Sequence, residues 1–366
     1  MKIAYMFGAL RRGGTETLML DLFRNGQIAD FEFIGIHRKG GEYRDDFYSS
    51  GQKLFLIAPH FLFDIFYILK LRNLLKHNNI DIVHAQLSID AVYAKLATLG
   101  TKIKVLQTIH CFDFGLKGFS AKIFKMSLRL TALNIFVSNF QKNYYIKKYR
   151  LLPDNQHVVY NCISFDKIDN QKEIVPLFAQ KCELLIGSVG NFVYVRTQIV
   201  ICRFLKLLSD AGYDFKFVFA GLRIDSQSHL YDECVEFCRT NGLLDTKVFF
   251  LGGRNDIPNV LKQLDAFVYS SAHDTFGIAV AEAMTAGVPV FVNDWGAMSE
   301  LTENGEFGTV YKSDNPQDLF EKFTDFIKNR EIYKQKAKNA NKFVRENFSV
   351  ARIFENLNKI YKKLFE

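Results

Sequence analysis

YSSAHDTFGIAVAEAMTAGVPVFVND, running from Tyr269 to Asp294, carries the punctuation of a parallel sheet. The apolar run Asp265-Ala-Phe-Val-Tyr269 before it reads as a buried strand. A polar loop follows, Ser270 to Asp274, and then Thr275-Phe276-Gly277. From Ile278 the residues favour helix (Ala279, Ala281, Glu282, Ala283, Met284). Gly287 stands where a helix stops, with Pro289 just beyond. Val288 to Val292 is the next strand. Strand, loop, helix, strand is one βαβ unit, and such units bind ligands at the carboxyl ends of their strands.

The loop before a helix offers free N–H groups and the positive end of the helix dipole, which suit a phosphate. Phe276, Gly277 and Ile278 are expected to supply those donors, with Gly277 allowing close approach. Asp274 and Glu282 bracket them. Carboxylates repel phosphate but accept hydrogen bonds from hydroxyls. A ligand with hydroxyls at both ends and phosphates between them fits, namely a nucleotide-diphosphate sugar. Read alone, Asp274 would only cap the helix and Glu282 would stand in solvent.

The surrounding residues give the stretch a family likeness. It resembles the E-x7-E motif of retaining glycosyltransferases of the GT-B fold, family 4 type. That pattern runs acidic, small, Phe, Gly, then Glu-Ala-Met, a small residue, Ala-Gly and Pro-Val. The departure is Asp274, where the family usually has Glu. The resemblance implies an α/β chain of two doubly wound, Rossmann-like parallel-sheet domains facing a cleft. The first would span 1–165, with the final helix 348–366 crossing back to it. The second, residues 166–347, would bind the donor, and the polar stretch 164–182 would link them.

Other segments extend the likeness. Ala9-Leu-Arg-Arg-Gly-Gly-Thr-Glu16 resembles the family's glycine loop beside the donor phosphates, through Gly13 and Gly14. Thr108-Ile-His110 resembles its T-x-H segment, whose His faces the donor sugar, and His84 also lies near a strand end. After Gly190 the family usually has an Arg and, about five residues on, a Lys, both on the diphosphate. Here those positions hold Asn191 and Arg196. Arg196 can do the work of the Lys; Arg11, Arg12, Arg223 or Arg254 would have to supply the second cation. Gly252-Gly-Arg254 falls where the family holds the nucleotide base.

The implied reaction moves a sugar, of hexosyl type, from a nucleotide diphosphate to an acceptor hydroxyl with anomeric retention. Arg196, the 276–278 amides and the Gly13–Gly14 loop would stabilise the leaving group. Glu282 would hold ribose hydroxyls and Asp274 those of the donor sugar. Neither cofactor nor metal is required, and the chain lacks an Asp-x-Asp pair for a divalent ion. The acceptor is expected to be a glycan or lipid-linked glycan of a bacterial surface polysaccharide. The alternatives are a nucleotide-sugar epimerase on the same fold and a catalytically silent binding subunit.

Composition narrows the remainder. The 366 residues are 48% hydrophobic and 23% charged, as in soluble globular proteins. Aromatic residues reach 14%, without a functional reason visible in the sequence. Scattered cysteines and the early Arg11 and Arg12 point to a cytoplasmic protein with reduced thiols rather than a secreted one. Residues 101–150 hold ten Lys or Arg and one acid, Asp113. The part from 115 to 150 is expected either to lie on an anionic membrane surface, making the protein peripheral at its inner face, or to be a solvated basic face. No nucleic-acid-binding motif accompanies the charge, so nucleic acid is not an expected partner.

Overall fold

The computed structural model describes residues 1–11, 13–180 and 182–366. Two compact units divide it, one of Met1–Cys162 with Phe348–Glu366 and one of Ile163–Asn347. Each is built on a wholly parallel sheet. The first sheet has β1 (Lys2–Ala9), β2 (Glu32–Lys39), β3 (Lys53–Leu56), β4 (Ile82–Ala85), β5 (Lys104–Ile109), β6 (Leu133–Phe136) and β7 (Gln156–Val158). Their order is β3-β2-β1-β4-β5-β6-β7. The second has β8 (Leu185–Val189), β9 (Lys216–Ala220), β10 (Val248–Gly252), β11 (Ala266–Tyr269), β12 (Val290–Asn293) and β13 (Thr309–Tyr311), in the order β10-β9-β8-β11-β12-β13. Both orders reverse direction once, at β1/β4 and at β8/β11. A doubly wound sheet presents its ligand crevice at that reversal.

The strands read as continuous apolar runs because helices cover both faces of each sheet. This is where the aromatic excess goes. Tyr5, Phe23, Phe33 and Phe47 meet edge to face in the first core, with Tyr5 and Phe33 5.4 Å apart. Phe217, Phe219, Phe250 and Phe192 cluster in the second through tilted and stacked contacts. Large flat rings fill the sheet–helix layer, and apart from the Tyr5 hydroxyl they bring no polar atom to satisfy. The last helix, Val350–Lys363, buries Ile353, Phe354, Leu357, Ile360 and Tyr361 in the first core.

Two sequence expectations change. The described part of the expected linker, residues 164–180 and 182, is itself structured. It contains a helix, Phe165–Asp169, and adheres to the second unit, where the Asn259 side chain exchanges two hydrogen bonds with the Val175 backbone. The basic window also splits in two. On the helix Asn139–Tyr149, Tyr144 and Tyr149 donate to the buried Asp113, and Lys148 pairs with the same carboxylate at 2.7 Å. Those aromatics serve a hub around the Asp113 carboxylate. Among the described residues, no helix is long and apolar enough to cross a membrane.

Candidate functional site

At the β8/β11 reversal the chain leaves β8 through Gly190. Gly221 must be glycine for the neighbouring turn, since a Cβ there would meet the Gly190 carbonyl oxygen at 2.0 Å. The Asn191 side-chain oxygen accepts from Leu222 N–H at 2.9 Å. Asn191 thus ties two strand-end loops together.

The chain then turns back so that Arg196 pairs with Ser271 in an isolated antiparallel bridge. The Arg196 guanidinium lies 4.3 Å from the Tyr269 ring centre and donates to Asp274 Oδ2 at 2.8 Å. Burial draws this guanidinium below its ordinary value and the Asp274 charge opposes that, but an arginine stays protonated regardless. Its Nε–H, also buried, has no acceptor among the described residues.

Asp274 is the bolt of the site. Oδ2 accepts from Arg196 and from the Tyr269 hydroxyl; Oδ1 accepts from the N–H groups of Phe276 and Gly277, both at 3.1 Å. Two oxygens carry about four acceptor positions, so the carboxylate is filled. This corrects three expectations. Asp274 does not present free lone pairs to a sugar hydroxyl; the capping alternative is the one found. Phe276 and Gly277 do not offer open amides. Gly277 is glycine for its φ of 95° and because a Cβ would meet Met298 Cε at 2.6 Å, not for ligand approach. The shorter Asp explains the change, since one methylene less holds the carboxylate back over the helix start. In the first turn of Ile278–Thr285, the N–H groups of Ile278 and Ala279 precede the first intrahelical bonds and have no acceptor within the helix. Glu282, half-buried, sits one turn beyond Ile278 on the same side of the helix.

Sequence reasoning missed the braces behind this loop. Trp295 Nε1–H donates to the Asp274 carbonyl at 2.7 Å. Asn293 accepts from Ser271 N–H and donates to the Ser271 carbonyl, at 2.9 and 2.8 Å. Ser271 Oγ in turn donates to the Val195 carbonyl and accepts from Asp274 N–H. A lone tryptophan directly after Asn293-Asp294 at a strand end was the available signal.

Two of the four proposed reserve cations are already engaged. Arg254 grips Asp256 with two hydrogen bonds, at 2.7 and 2.5 Å, and Arg223 grips Asp232 with two at 2.9 Å. Arg12 lies outside the described residues. Gly252, at φ 66°, ends β10 beside a register shift.

In the first unit, Gly13 caps the helix Gly14–Arg24, and a Cβ on it would meet Glu16 Oε2 at 2.5 Å. A carboxylate therefore occupies the mouth of the glycine loop, and that side chain works against a phosphate there. Burial raises the Glu16 carboxyl, and Arg11 nearby opposes this. At β1/β4 a polar chain runs from the Tyr5 hydroxyl to the Tyr361 hydroxyl, on to His84 Nδ1, and from His84 Nε2 to Thr108 Oγ1. Beside it, His110 Nε2 faces Gln86 Oε1 at 2.7 Å, so that nitrogen carries the proton. Burial lowers His110 to about 4; burial and the charge of His110 lower His84 to about 3. Both are neutral near pH 7, so His110 can hydrogen-bond a substrate but brings no positive charge. Tyr5, His84, Gln86, Thr108 and His110 line a cavity of about 30 Å³. Among the described residues, no group of three or more His, Cys, Asp or Glu is placed to hold a metal ion.

Comparison with known proteins agrees with this architecture. Residues 169–343 match the family described as Glycosyl transferases group 1, and residues 12–167 match Glycosyltransferase Family 4. The N-acetyl-alpha-D-glucosaminyl L-malate synthase of Bacillus anthracis is 22% identical over 82% of this chain and 79% of its own length. The UDP-Gal:alpha-D-GlcNAc-diphosphoundecaprenol alpha-1,3-galactosyltransferase of Escherichia coli is 24% identical over 80% of this chain and 78% of its own. Anabaena HepE, solved with UDP and glucose, superposes with a TM-score of 0.83 at 17% identity, covering 99% of both chains. The chain belongs to the family 4, or group 1, glycosyltransferases of the GT-B fold.

Proposed function

We propose that this glycosyltransferase takes a sugar from a nucleotide-diphosphate donor and passes it, with anomeric retention, to a hydroxyl of a glycan or lipid-linked acceptor in surface-polysaccharide assembly. The observation that carries the donor reading is Arg196. Its buried Nε–H has no acceptor among the described residues, and its Asp274 partner caps the helix whose Ile278 and Ala279 N–H groups precede the first intrahelical bonds. A buried unsatisfied donor costs about 1–3 kcal/mol, which a phosphate oxygen would recover. A diphosphate bridging Arg196 and the helix start meets a guanidinium and a positive dipole end, and both gain strength as leaving-group charge develops. Asp274 then acts on the reaction through Arg196 as a positioning residue, while Glu282 accepts from ribose hydroxyls. The acceptor oxygen attacks the anomeric carbon on the face the diphosphate leaves. The departing phosphate oxygen takes the acceptor proton, so no protein nucleophile is needed. Cation and dipole do the work a divalent metal would otherwise do.

The acceptor class is supported by relatives named for transfer to diphosphoundecaprenol-linked sugars, in Escherichia coli and Campylobacter jejuni. The donor class is supported by HepE, solved with UDP-glucose. The test is turnover of candidate UDP- and GDP-sugars with and without lipid-linked acceptors, with the anomeric configuration read by NMR. Transfer that Glu282→Ala abolishes in a folded protein is the expected result. Donor breakdown to free nucleotide without an acceptor would favour an epimerase, and no donor binding at all a silent subunit. Inversion would refute the same-face route.

A further inference from the structure

We infer that Gln86 is a specificity-determining residue of the first unit: it fixes the proton on one nitrogen of His110 and donates its spare amide N–H to a single sugar hydroxyl of the substrate. This role rests on the glycosyl-transfer reading and adds to it a residue and a group the substrate must carry.

Gln86 stands directly after β4. Its backbone N–H donates to the Met6 carbonyl at 2.8 Å and so prolongs the pairing of β4 with β1. The residue is 4% exposed. Its side chain lines the cavity at the β1/β4 reversal, together with His84, Thr108, His110 and Asn161. Most polar groups there are already spent. The Tyr5 hydroxyl, His84 and Thr108 are joined through Tyr361 in one hydrogen-bonded chain. Gln86 Oε1 accepts from His110 Nε2 at 2.7 Å. Gln86 Nε2 is left over. Among the described residues, it is the one fully buried side-chain nitrogen or oxygen of this cavity's lining without a partner. Turning the amide over only exchanges the orphan, because a carbonyl oxygen would then be left unpaired.

The cavity holds about 30 Å³. That admits one water or one hydroxyl and excludes a ring. Much of the remaining wall is apolar, Leu18, Met19, Ile135 and Leu357 among it. Burial keeps both histidines uncharged, so a carboxylate or an ammonium would find no counter-charge. A hydroxyl fits, since its oxygen can accept from Gln86 Nε2. Native folds rarely leave a buried N–H unpaired, and this one lies at the strand-end crevice where doubly wound sheets take their ligands. Gln86 also acts on its neighbour. A neutral imidazole carries one N–H, and His110 spends it on Gln86. The glutamine thus decides which ring nitrogen holds the proton. A substrate lacking the hydroxyl would leave Gln86 unpaired and be rejected.

Two measurements test this. The first needs no substrate: long-range proton–nitrogen NMR of the full chain reads the His110 tautomer. The proton is expected on Nε2. A proton on Nδ1 would mean that the amide is turned over and its N–H spent on His110, which overturns the role. The second is a cycle between Gln86→Met, similar in length but apolar, and substrates that each lack one hydroxyl. The probes are UDP-glucose, UDP-N-acetylglucosamine and GDP-mannose with a diphosphoundecaprenol-linked sugar, then the monodeoxy forms of the pair that is turned over. Gln86→Met should lower kcat/KM about 10- to 100-fold on the intact pair. On one monodeoxy form, already poor, it should cost less than about threefold more. That form being the donor assigns the cavity to a donor hydroxyl; its being the acceptor assigns it to an acceptor hydroxyl. Equal loss on every form, as a resident water or a packing role would give, overturns the role, and so does no loss. Circular dichroism checks the fold. Should the variant unfold, the wild type decides alone: one monodeoxy form must be rejected by at least about 100-fold, and even rejection across the series overturns the role. Turnover of no nucleotide sugar by the wild type would refute the transfer reading itself and this role with it, a result visible before any variant is made.

Discussion

The two strand-end sites share a topology and differ in electrostatic character. At β8/β11 the polar groups are charged: Arg196 on Asp274, with a helix start capped by the same carboxylate. At β1/β4 they are neutral: two histidines held uncharged by burial, a glutamine and a threonine joined by hydrogen bonds. A doubly wound sheet fixes where a ligand binds, not which ligand. Charge at one reversal suits a diphosphate. Neutrality at the other suits the uncharged hydroxyls of a sugar, which hydrogen-bond without needing a counter-charge.

The contrast breaks most easily at Arg196. Replacing Arg196 with alanine should lower kcat/KM by about 10²–10³, the usual effect of losing one group aimed at leaving-group charge. Arg196→Lys should recover part of that, since it restores a charge but not the fork that spans Asp274 and a phosphate. A loss no larger than a few-fold in the alanine variant would move the diphosphate elsewhere. A smaller change sharpens the assignment of Asp274. Asp274→Asn keeps an acceptor for the helix amides and removes the ion pair. It should lower kcat by about 10- to 100-fold, in line with a charge-assisted bond of about 1.5–3 kcal/mol, without raising the donor KM, because the carboxylate competes with phosphate for Arg196. A raised KM with kcat intact would return Asp274 to the donor sugar.

Much of this could be read from the chain. The β11–helix–β12 unit was legible because Gly287 and Pro289 punctuate it and because apolar runs mark both strands. Arg196 was legible by its offset from Gly190. The fate of Asp274 was not, since its four donors come from three separate places: Arg196, Tyr269 and the two amides just after it. Sequence gives spacing along the chain, and saturation of a carboxylate depends on what the fold brings across. The same reason hid Trp295 and Asn293, and hid Asp232 and Asp256 as the partners that occupy Arg223 and Arg254.

The neutral site yields the smallest expected effect, and its sign follows from burial. His84 and His110 are lowered to about 3 and about 4 in the fold, whereas an unfolded histidine titrates near 6.5. Below about pH 6.5 the unfolded chain binds protons that the folded one refuses, so stability falls with acidification until about pH 4. Each histidine contributes a slope of at most about 1.4 kcal/mol per pH unit. His37 and His157, also lowered by burial, act in the same direction; Asp90 and Glu16, raised by burial, act against it. His84→Gln isolates the effect from these others, because it keeps a polar side chain at the position and removes the titration. The difference in urea midpoint between wild type and variant should therefore narrow as pH drops from about 7 toward about 4.5. A difference that stays constant over that range would mean His84 is already charged in the fold, and the neutral character of the β1/β4 site would go with it.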